Sequence, residues 1–366
     1  MKLVITGGHH TGALPIIHKL KEKEPDIKIY WFGHKHSLIH DKNPTLEYQQ
    51  ITELGIPFVD LKAGKLYRTF NIGRLLKIPL GFFQALFLLL KIRPDIILSF
   101  GGYLAVPVVL AGWVLRIPSV THEQTVVSGY ANKLISRFAK KVLISWPQSA
   151  KYFPKEKIVH TGLAVRDSIF TMKSDAFTFA NGLPTVYITA GKTGSHKING
   201  AVLAQMEELL QTCNIIHQTG DYSEFNDFEK LLKKYNDIKA KAVGSYYARK
   251  FVDENEIGEA FNISNLVVCR AGAHIIADVL ALEKPALLIP IPWVSHNEQN
   301  ENAKVVVESG LGSILSEDNL AKLAQSVKEM LADIGRFKLR SSFSKDFIKP
   351  DSADLIIAEL YKALAC

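Results

Sequence analysis

Two glycine-rich loops carry the residues with most chemical potential. The first, Thr6-Gly7-Gly8-His9-His10-Thr11-Gly12, follows the apolar run Leu3-Val4-Ile5. The second, Ala190-Gly191-Lys192-Thr193-Gly194-Ser195, follows Val186-Tyr187-Ile188-Thr189. A strand that runs into glycines and then a helix leaves unpaired N–H groups and a positive dipole end, an arrangement suited to phosphate. His9 adds a group that titrates near neutrality, a candidate general base, with His10 beside it as the alternative. A third run, Arg270-Ala271-Gly272-Ala273-His274, offers close backbone approach at Gly272 and a helix start at Ala273. Asp278, one turn further, can accept hydrogen bonds from a ribose diol or simply face solvent.

Some chemistries are excluded. Neither loop ends in Gly-Lys-Ser/Thr, so no Walker pattern is present, and the absence of GxGxxG counts against nicotinamide and flavin. There is no HExxH and no DxD, so neither a metal nor a cofactor is required. The three cysteines, Cys213, Cys269 and Cys366, are widely spaced, which disfavours a disulfide framework and fits a reducing cytoplasm. The chain enters a strand at once, so no secretory signal is expected.

The elements that must position these residues are β-rich runs alternating with helical patterns. Expected strands are Lys2–Ile5, Lys28–Phe32, Ile96–Phe100, Ser119–His122, Val142–Ser145, Thr185–Thr189, Asn214–Gln218, Asn265–Cys269 and Ala286–Pro290. Near-continuous apolar strands with helices between them predict α/β architecture with parallel sheets covered on both faces. The pattern gives two doubly wound, Rossmann-like domains facing a central cleft, 1–165 and 166–342. A terminal helical segment, 343–366, carries the stripe Leu355, Ile356, Leu360 and Leu364 and has the first domain as a candidate packing partner. Ligands in such sheets bind beyond the carboxyl ends of strands. There this chain places Gly101-Gly102-Tyr103, His122-Glu123-Gln124, His217-Gln218-Thr219-Gly220, Arg270–His274 and His296–Asn302.

Charge divides unevenly. Residues 1–165 hold 22 Lys and Arg against 10 Asp and Glu, whereas the remainder is mildly acidic. The asymmetry points to a polyanion or an anionic membrane surface against the N-terminal half. The stretch from Arg74 and Lys77 to Lys91 tilts the choice toward lipid rather than nucleic acid. Its apolar part, Ile78–Leu90, includes Phe82, Phe83 and Phe87 and is too short for the roughly 20 residues of a bilayer span. It suits a helix lying at an interface, or one packed on the sheet, and one helix can do both on opposite faces.

Taken together, these motifs resemble the MurG family of bacterial glycosyltransferases, GT-B enzymes of glycosyltransferase family 28. The resemblance rests on Thr6-Gly7-Gly8-His9, Phe100-Gly101-Gly102-Tyr103, His122-Glu123-Gln124 with Ala131-Asn132-Lys133, and Thr161-Gly162 with Val165-Arg166. It continues through His217-Gln218-Thr219-Gly220, Val268-Cys269-Arg270-Ala271-Gly272-Ala273 and Gln299 with Asn302-Ala303. It implies metal-free, inverting transfer of N-acetylglucosamine from UDP-GlcNAc to the 4-hydroxyl of the MurNAc sugar of lipid I, a polyprenyl-pyrophosphate acceptor. His9 would be the base. Thr6, Gly7, Gly8, Thr125, Arg166, Gly191, Lys192, Thr193, Gly194, Gln218, Phe251, Val252, Arg270, Gly272, Ala273, His274, Asp278, Glu298 and Gln299 would serve the donor, with Val252 at uracil and Asp278 at ribose. Thr11, Gly101, Gly102, Tyr103, His122, Glu123, Gln124 and Asn132 would serve the acceptor. The family implies a cytoplasmic enzyme, peripheral on the inner face of the plasma membrane.

This chain departs from the family pattern at Thr125, Lys192-Thr193, Asp278 and Glu298, and in the first loop, where His10-Thr11-Gly12 replaces an apolar-Pro-Gly run. Other readings are a membrane-associated GT-B transferase with a different UDP-sugar or lipid acceptor, a UDP-GlcNAc 2-epimerase, and a catalytically silent subunit that docks other cell-wall synthesis enzymes.

Overall fold

The computed structural model describes residues 1–8, 10–36, 44–62, 77–222, 224–294, 297–346, 349 and 351–365. The chain divides into two units, Met1–Val165 with Lys349–Cys366, and Arg166–Ile348.

In the first unit, strands β1 (Lys2–Thr6), β2 (Lys28–Gly33), β3 (Phe58–Asp60), β4 (Ile96–Ser99), β5 (Ser119–Glu123), β6 (Lys141–Ile144) and β7 (Ile158–His160) make one sheet in the order β3-β2-β1-β4-β5-β6-β7. Every pairing is parallel, with Thr6 opposite Ser99 at the carboxyl ends of β1 and β4. Strands β4 and β5 are buried along their whole length because helices cover both faces. These helices are α1 (Leu14–Lys23), α2 (Leu46–Glu53), α3 (Lys77–Ile92), α4 (Ala105–Val114) and α5 (Tyr130–Phe138).

Helix α3 shows how one segment serves two environments. Gly81, Ala85 and Leu89 recur every four residues and are buried, so one face packs on the sheet. The opposite face exposes Leu80, Phe83, Phe87 and Leu90, the two phenylalanines at 63% and 67%. Phe82 departs from the interfacial expectation. It lies half-buried against the core cluster of this face, because its place in the helical repeat turns it inward. Gln84, the one polar interruption, holds Lys62 N and Asp60 O at 2.8 and 2.9 Å and so caps the end of β3. Arg74 and the side chain of Lys77 lie outside the described residues. Among the described residues no helix is long and apolar enough to cross a membrane.

The second unit contains β8 (Thr185–Thr189), β9 (Asn214–Gln218), β10 (Tyr246–Arg249), β11 (Leu266–Cys269), β12 (Ala286–Leu288) and β13 (Gly312–Ile314) in the parallel order β10-β9-β8-β11-β12-β13. Its helices are α6 (His196–Leu209), α7 (Asp227–Ile238), α8 (Ile257–Asn262), α9 (Ala273–Ala281), α10 (Glu298–Glu308), α11 (Leu323–Ala332) and α12 (Ser341–Asp346). Helix α6 buries Ile198, Val202, Met206 and Leu209 at helical spacing. Ser195 caps it, its hydroxyl accepting from Ile198 N.

The last helix, α13 (Ser352–Ala365), returns to the first unit. It joins the cluster of Leu3, Ile5, Ile16, Leu20, Ile96, Leu98 and Leu143. Its buried stripe is Ile356, Ile357, Leu360 and Ala363, while the expected members Leu355 and Leu364 are only half-buried. Asp354 pairs with Lys19 and Lys23 of α1, and Lys140 donates to Ala363 O at 3.1 Å.

Candidate functional site

Strand order reverses direction between β1 and β4 in one unit and between β8 and β11 in the other. At such switch points adjacent strands send their connections to opposite faces and leave a crevice. The glycine loops stand at these two places.

In the first unit, Gly7 has φ +134°, and a Cβ there would stand 2.9 Å from Gly101 O. Gly101, at φ +73°, lies so close to the Asn132 side chain that a Cβ would come within 2.5 Å of it. Glycine is therefore required at both for the two loops to meet. Behind them runs a buried chain of hydrogen bonds. Thr121 Oγ1 donates to Asn132 Oδ1 at 3.2 Å, and Asn132 Nδ2 donates to Glu123 Oε2 at 2.9 Å. Glu123 Oε1 accepts from Thr125 N and Oγ1 at 3.1 and 2.9 Å. Glu123, Thr125 and Asn132 thus form the wall behind the loop.

His122, also expected at the acceptor, is fully buried. Its Nε2 lies 2.9 Å from Gly162 O, and burial brings its pKa down to about 4. It ties β5 to the chain after β7 and takes no direct part in a surface. His217, from the second unit's polar cluster, is likewise buried, 2.8 Å from Tyr246 Oη. Gln124 differs from Glu123 and Thr125: both atoms of its buried amide are without a hydrogen-bond partner among the described residues, as is the hydroxyl of Thr6. The buried Nδ1 of His122 and Nε of Arg270 also lack a partner among the described residues. Unpaired buried polar groups are costly, and such groups are open to a ligand or water.

Tyr103 is half-buried, its ring 5.7 Å from that of His34. Thr11 lies in a 3-10 turn with His10, whose Nε2 stands 2.9 Å from Gln50 Oε1. His9 lies outside the described residues. One group was not anticipated. Glu47 accepts from Trp31 Nε1 at 2.6 Å, and burial raises its carboxyl to about 7. No motif spacing marks it, since its environment is made by Trp31 on the neighbouring strand.

In the second unit the loop after β8 turns at Gly191 and Gly194, φ +81° and +69°. A Cβ on Gly194 would collide with Thr219 O at 1.8 Å, so the loops after β8 and β9 pack backbone to backbone. Gln218 spans them, donating from Nε2 to Gly191 O at 2.8 Å and accepting Val252 N at 2.9 Å. It therefore couples the loop bearing half-exposed Lys192 and exposed Thr193 to the segment of exposed Phe251 and half-buried Val252.

After β11, Gly272 caps α9 in an extended conformation with nothing within 4 Å of where a Cβ would be. Its value is open space above Ala273 and His274, not unusual torsion. Arg270 was expected at the donor but is buried. Its Nη2 reaches Ser195 Oγ at 2.7 Å and Glu317 Oε2 at 2.5 Å, and Nη1 donates to Ile289 O at 3.1 Å. Asp278 is buried too, not solvated, with Arg166 Nη2 at 3.1 Å from Oδ2. Burial raises its pKa and the arginine opposes that rise. Gln299 Oε1 accepts Ile291 N at 3.0 Å, and Asn302 donates to Ala271 O, so α10, opening with half-buried Glu298, is tied to both neighbouring loops. Among the described residues no three His, Cys, Asp or Glu side chains are grouped to hold a metal.

Comparison with known proteins agrees with this arrangement. The model of the glycosyltransferase family 28 N-terminal domain matches residues 5–144, and that of the C-terminal domain matches residues 185–356. A Lachnospira eligens protein named UDP-N-acetylglucosamine--N-acetylmuramyl-(pentapeptide) pyrophosphoryl-undecaprenol N-acetylglucosamine transferase is 31% identical, covering 97% of each chain. A Bacillus cereus protein of the same name, numbered 2, is 33% identical over 95% of this chain and 97% of its own. Among solved structures, Acinetobacter baumannii MurG superposes with TM-score 0.71 at 23% identity, covering 99% of this chain and all of that one. A putative UDP-N-acetylglucosamine 2-epimerase from Listeria monocytogenes gives 0.66 at 12% identity, covering 100% and 96%. These two likenesses show a shared fold.

Proposed function

This chain belongs to glycosyltransferase family 28, and from that premise we propose that it moves N-acetylglucosamine from UDP-GlcNAc to the 4-hydroxyl of the MurNAc sugar of lipid I, giving lipid II. The observation that carries this reading is the pair of helix starts on neighbouring strands β8 and β11, whose last residues, Thr189 and Cys269, are in register. Small residues, Ser195 and Gly272, cap helices α6 and α9 there, and two dipole ends suit the two phosphates of a nucleoside diphosphate.

Asp278 supplies the acceptor for ribose hydroxyls. Val252 has its N–H engaged by Gln218, so it meets a base through its carbonyl, which can accept from uracil N3–H. In the reaction the acceptor's 4-hydroxyl oxygen bonds to the anomeric carbon while the bond from that carbon to the UDP oxygen breaks. His9 takes the hydroxyl proton, and the N–H groups of α6 and α9 meet the negative charge that develops on UDP. Thr6 on the donor side and Gln124 on the acceptor side, both with unpaired buried polar groups, are assigned to ligand contacts. Thr125, Lys192 and Glu298 tune the choice of sugar.

The exposed face of α3, with Trp113 and Val114 at the end of α4, presents apolar side chains on the cationic half of the chain. We assign it to the anionic cytoplasmic surface of the inner membrane, where a polyprenyl acceptor resides.

Radiolabelled UDP-GlcNAc and a short-chain lipid I analogue test the reading. Label passing to the lipid with release of UDP is the expected result. Free UDP-ManNAc instead would make the protein an epimerase, and transfer from a different UDP-sugar would keep the reaction class while changing the donor.

A further inference from the structure

We infer that Glu317 is a positioning residue for the donor loop, acting through Arg270 on Ser195. The inference rests on the reading of unit two as the UDP-sugar site.

Glu317 opens the 3-10 turn Glu317–Lys322 after β13, where an acidic residue ordinarily faces water. Here its side chain is 2% exposed and both oxygens are engaged. Oε1 receives Lys197 Nζ at 2.5 Å from the first turn of α6, and Oε2 receives Arg270 Nη2 at 2.5 Å. That same nitrogen reaches Ser195 Oγ at 2.7 Å. Ser195 is the residue whose hydroxyl caps α6 and at which the loop Gly191–Ser195 ends. One carboxylate thus holds the helix start from two sides, through Lys197 directly and through Arg270 and the cap.

The chemistry of the parts favours this role over direct contact. A buried guanidinium without its carboxylate would keep only neutral acceptors, the Ser195 hydroxyl and Ile289 O, and would be poorly compensated. With Glu317 ionised, Nη2 of Arg270 is directed at the cap. Gln218 holds the other end of the loop at Gly191 O, so both ends are fixed before a diphosphate arrives. Preorganised donors are what a leaving diphosphate needs, since no reorganisation is then required as charge develops.

Amide exchange on the unliganded full chain and calorimetry with UDP test the role. In Glu317→Gln, residues 192–198 should exchange faster while the rest of α6 keeps its protection. UDP should bind about tenfold more weakly with one site per chain retained. A merely structural loss would lower the number of sites and leave the affinity of the remainder unchanged, and that result overturns the proposal. Combining Glu317→Gln with Ser195→Ala should lose little more affinity than the larger single change, because both act on one cap. A combined loss equal to the product of the two also overturns it. Glu317→Asp, which withdraws the charge by one methylene, carries the same expectations if Glu317→Gln does not yield folded protein. Absence of UDP binding by the unaltered chain would defeat the proposed function, whereas unchanged exchange at 192–198 defeats the role of Glu317 whether or not UDP binds.

Discussion

Arg166 Nη2 stands 3.1 Å from Asp278 Oδ2, and the carboxylate side chain is only 6% exposed while the arginine is a third exposed. The acid is therefore the captive partner, and the arginine opposes the rise that burial gives its pKa. Removing the arginine strands the charge. Arg166→Ala should destabilise the protein by about 3 kcal/mol at neutral pH. The penalty should shrink as the medium is acidified and Asp278 takes up a proton. Urea unfolding of variant and parent at pH 7.5 and pH 5 measures both, and an equal penalty at the two values would contradict this account.

His9 is assigned the proton transfer. His9→Ala should lower turnover by about 10²-fold or more with little change in UDP affinity, since the group acts on the acceptor hydroxyl. His10→Ala should be milder, because His10 is already bound to Gln50. Steady-state kinetics of the two variants side by side decide which imidazole acts. The reverse ranking would transfer the role to His10.

Helix α3 separates two effects that its composition alone confounds. Phe83→Ser with Phe87→Ser should release the protein from anionic vesicles while leaving its melting temperature nearly unchanged, because both rings are largely exposed. Phe82→Ser should do the opposite, lowering stability because its ring packs on the core. Vesicle co-sedimentation and thermal unfolding of each variant provide the check.

His122 makes the first unit sensitive to acid. Its pKa of about 4 lies below the ordinary value of 6.5, so between these values the unfolded chain binds a proton that the folded chain refuses. Its contribution is complete above pH 6.5 and is lost as pH falls toward 4, amounting to about 2 kcal/mol by pH 5. His122→Gln should show a correspondingly shallower loss of stability over that window in chemical denaturation. Parallel curves for the two proteins would mean that the imidazole is not held neutral.

The strands that sequence reasoning recovered and those it missed differ in one respect. Phe58–Asp60, Ile158–His160, Tyr246–Arg249 and Gly312–Ile314 were missed, and they are the four outer strands of the two sheets. An edge strand pairs on one side only and is half-solvated, so it is short and mixed in character and lacks the continuous apolar run that marks Ile96–Ser99 or Leu266–Cys269. The site divides similarly. Loops following central strands were legible as glycine and polar clusters. What each polar side chain faces was not, because that depends on distant partners. His122 and Glu123 are neighbours in one strand, yet the first reaches Gly162 and the second Asn132. Glu317 acquires its place from Arg270 and Lys197, which come from two other elements, and nothing local distinguishes it from a solvated acid.

Helix α13 belongs to the first unit although it follows the second in sequence. On a ribosome, the amino-terminal sheet emerges early yet lacks the helix that covers Leu98 and Leu143 until residues 352–365 have been made, so apolar surface stays open to chaperones while the second unit is synthesised. The middle unit, a single uninterrupted stretch of chain, can complete itself first. Maturation would therefore run against the direction of synthesis, and a nascent chain stalled before residue 352 would carry a finished second unit behind an unfinished amino-terminal one.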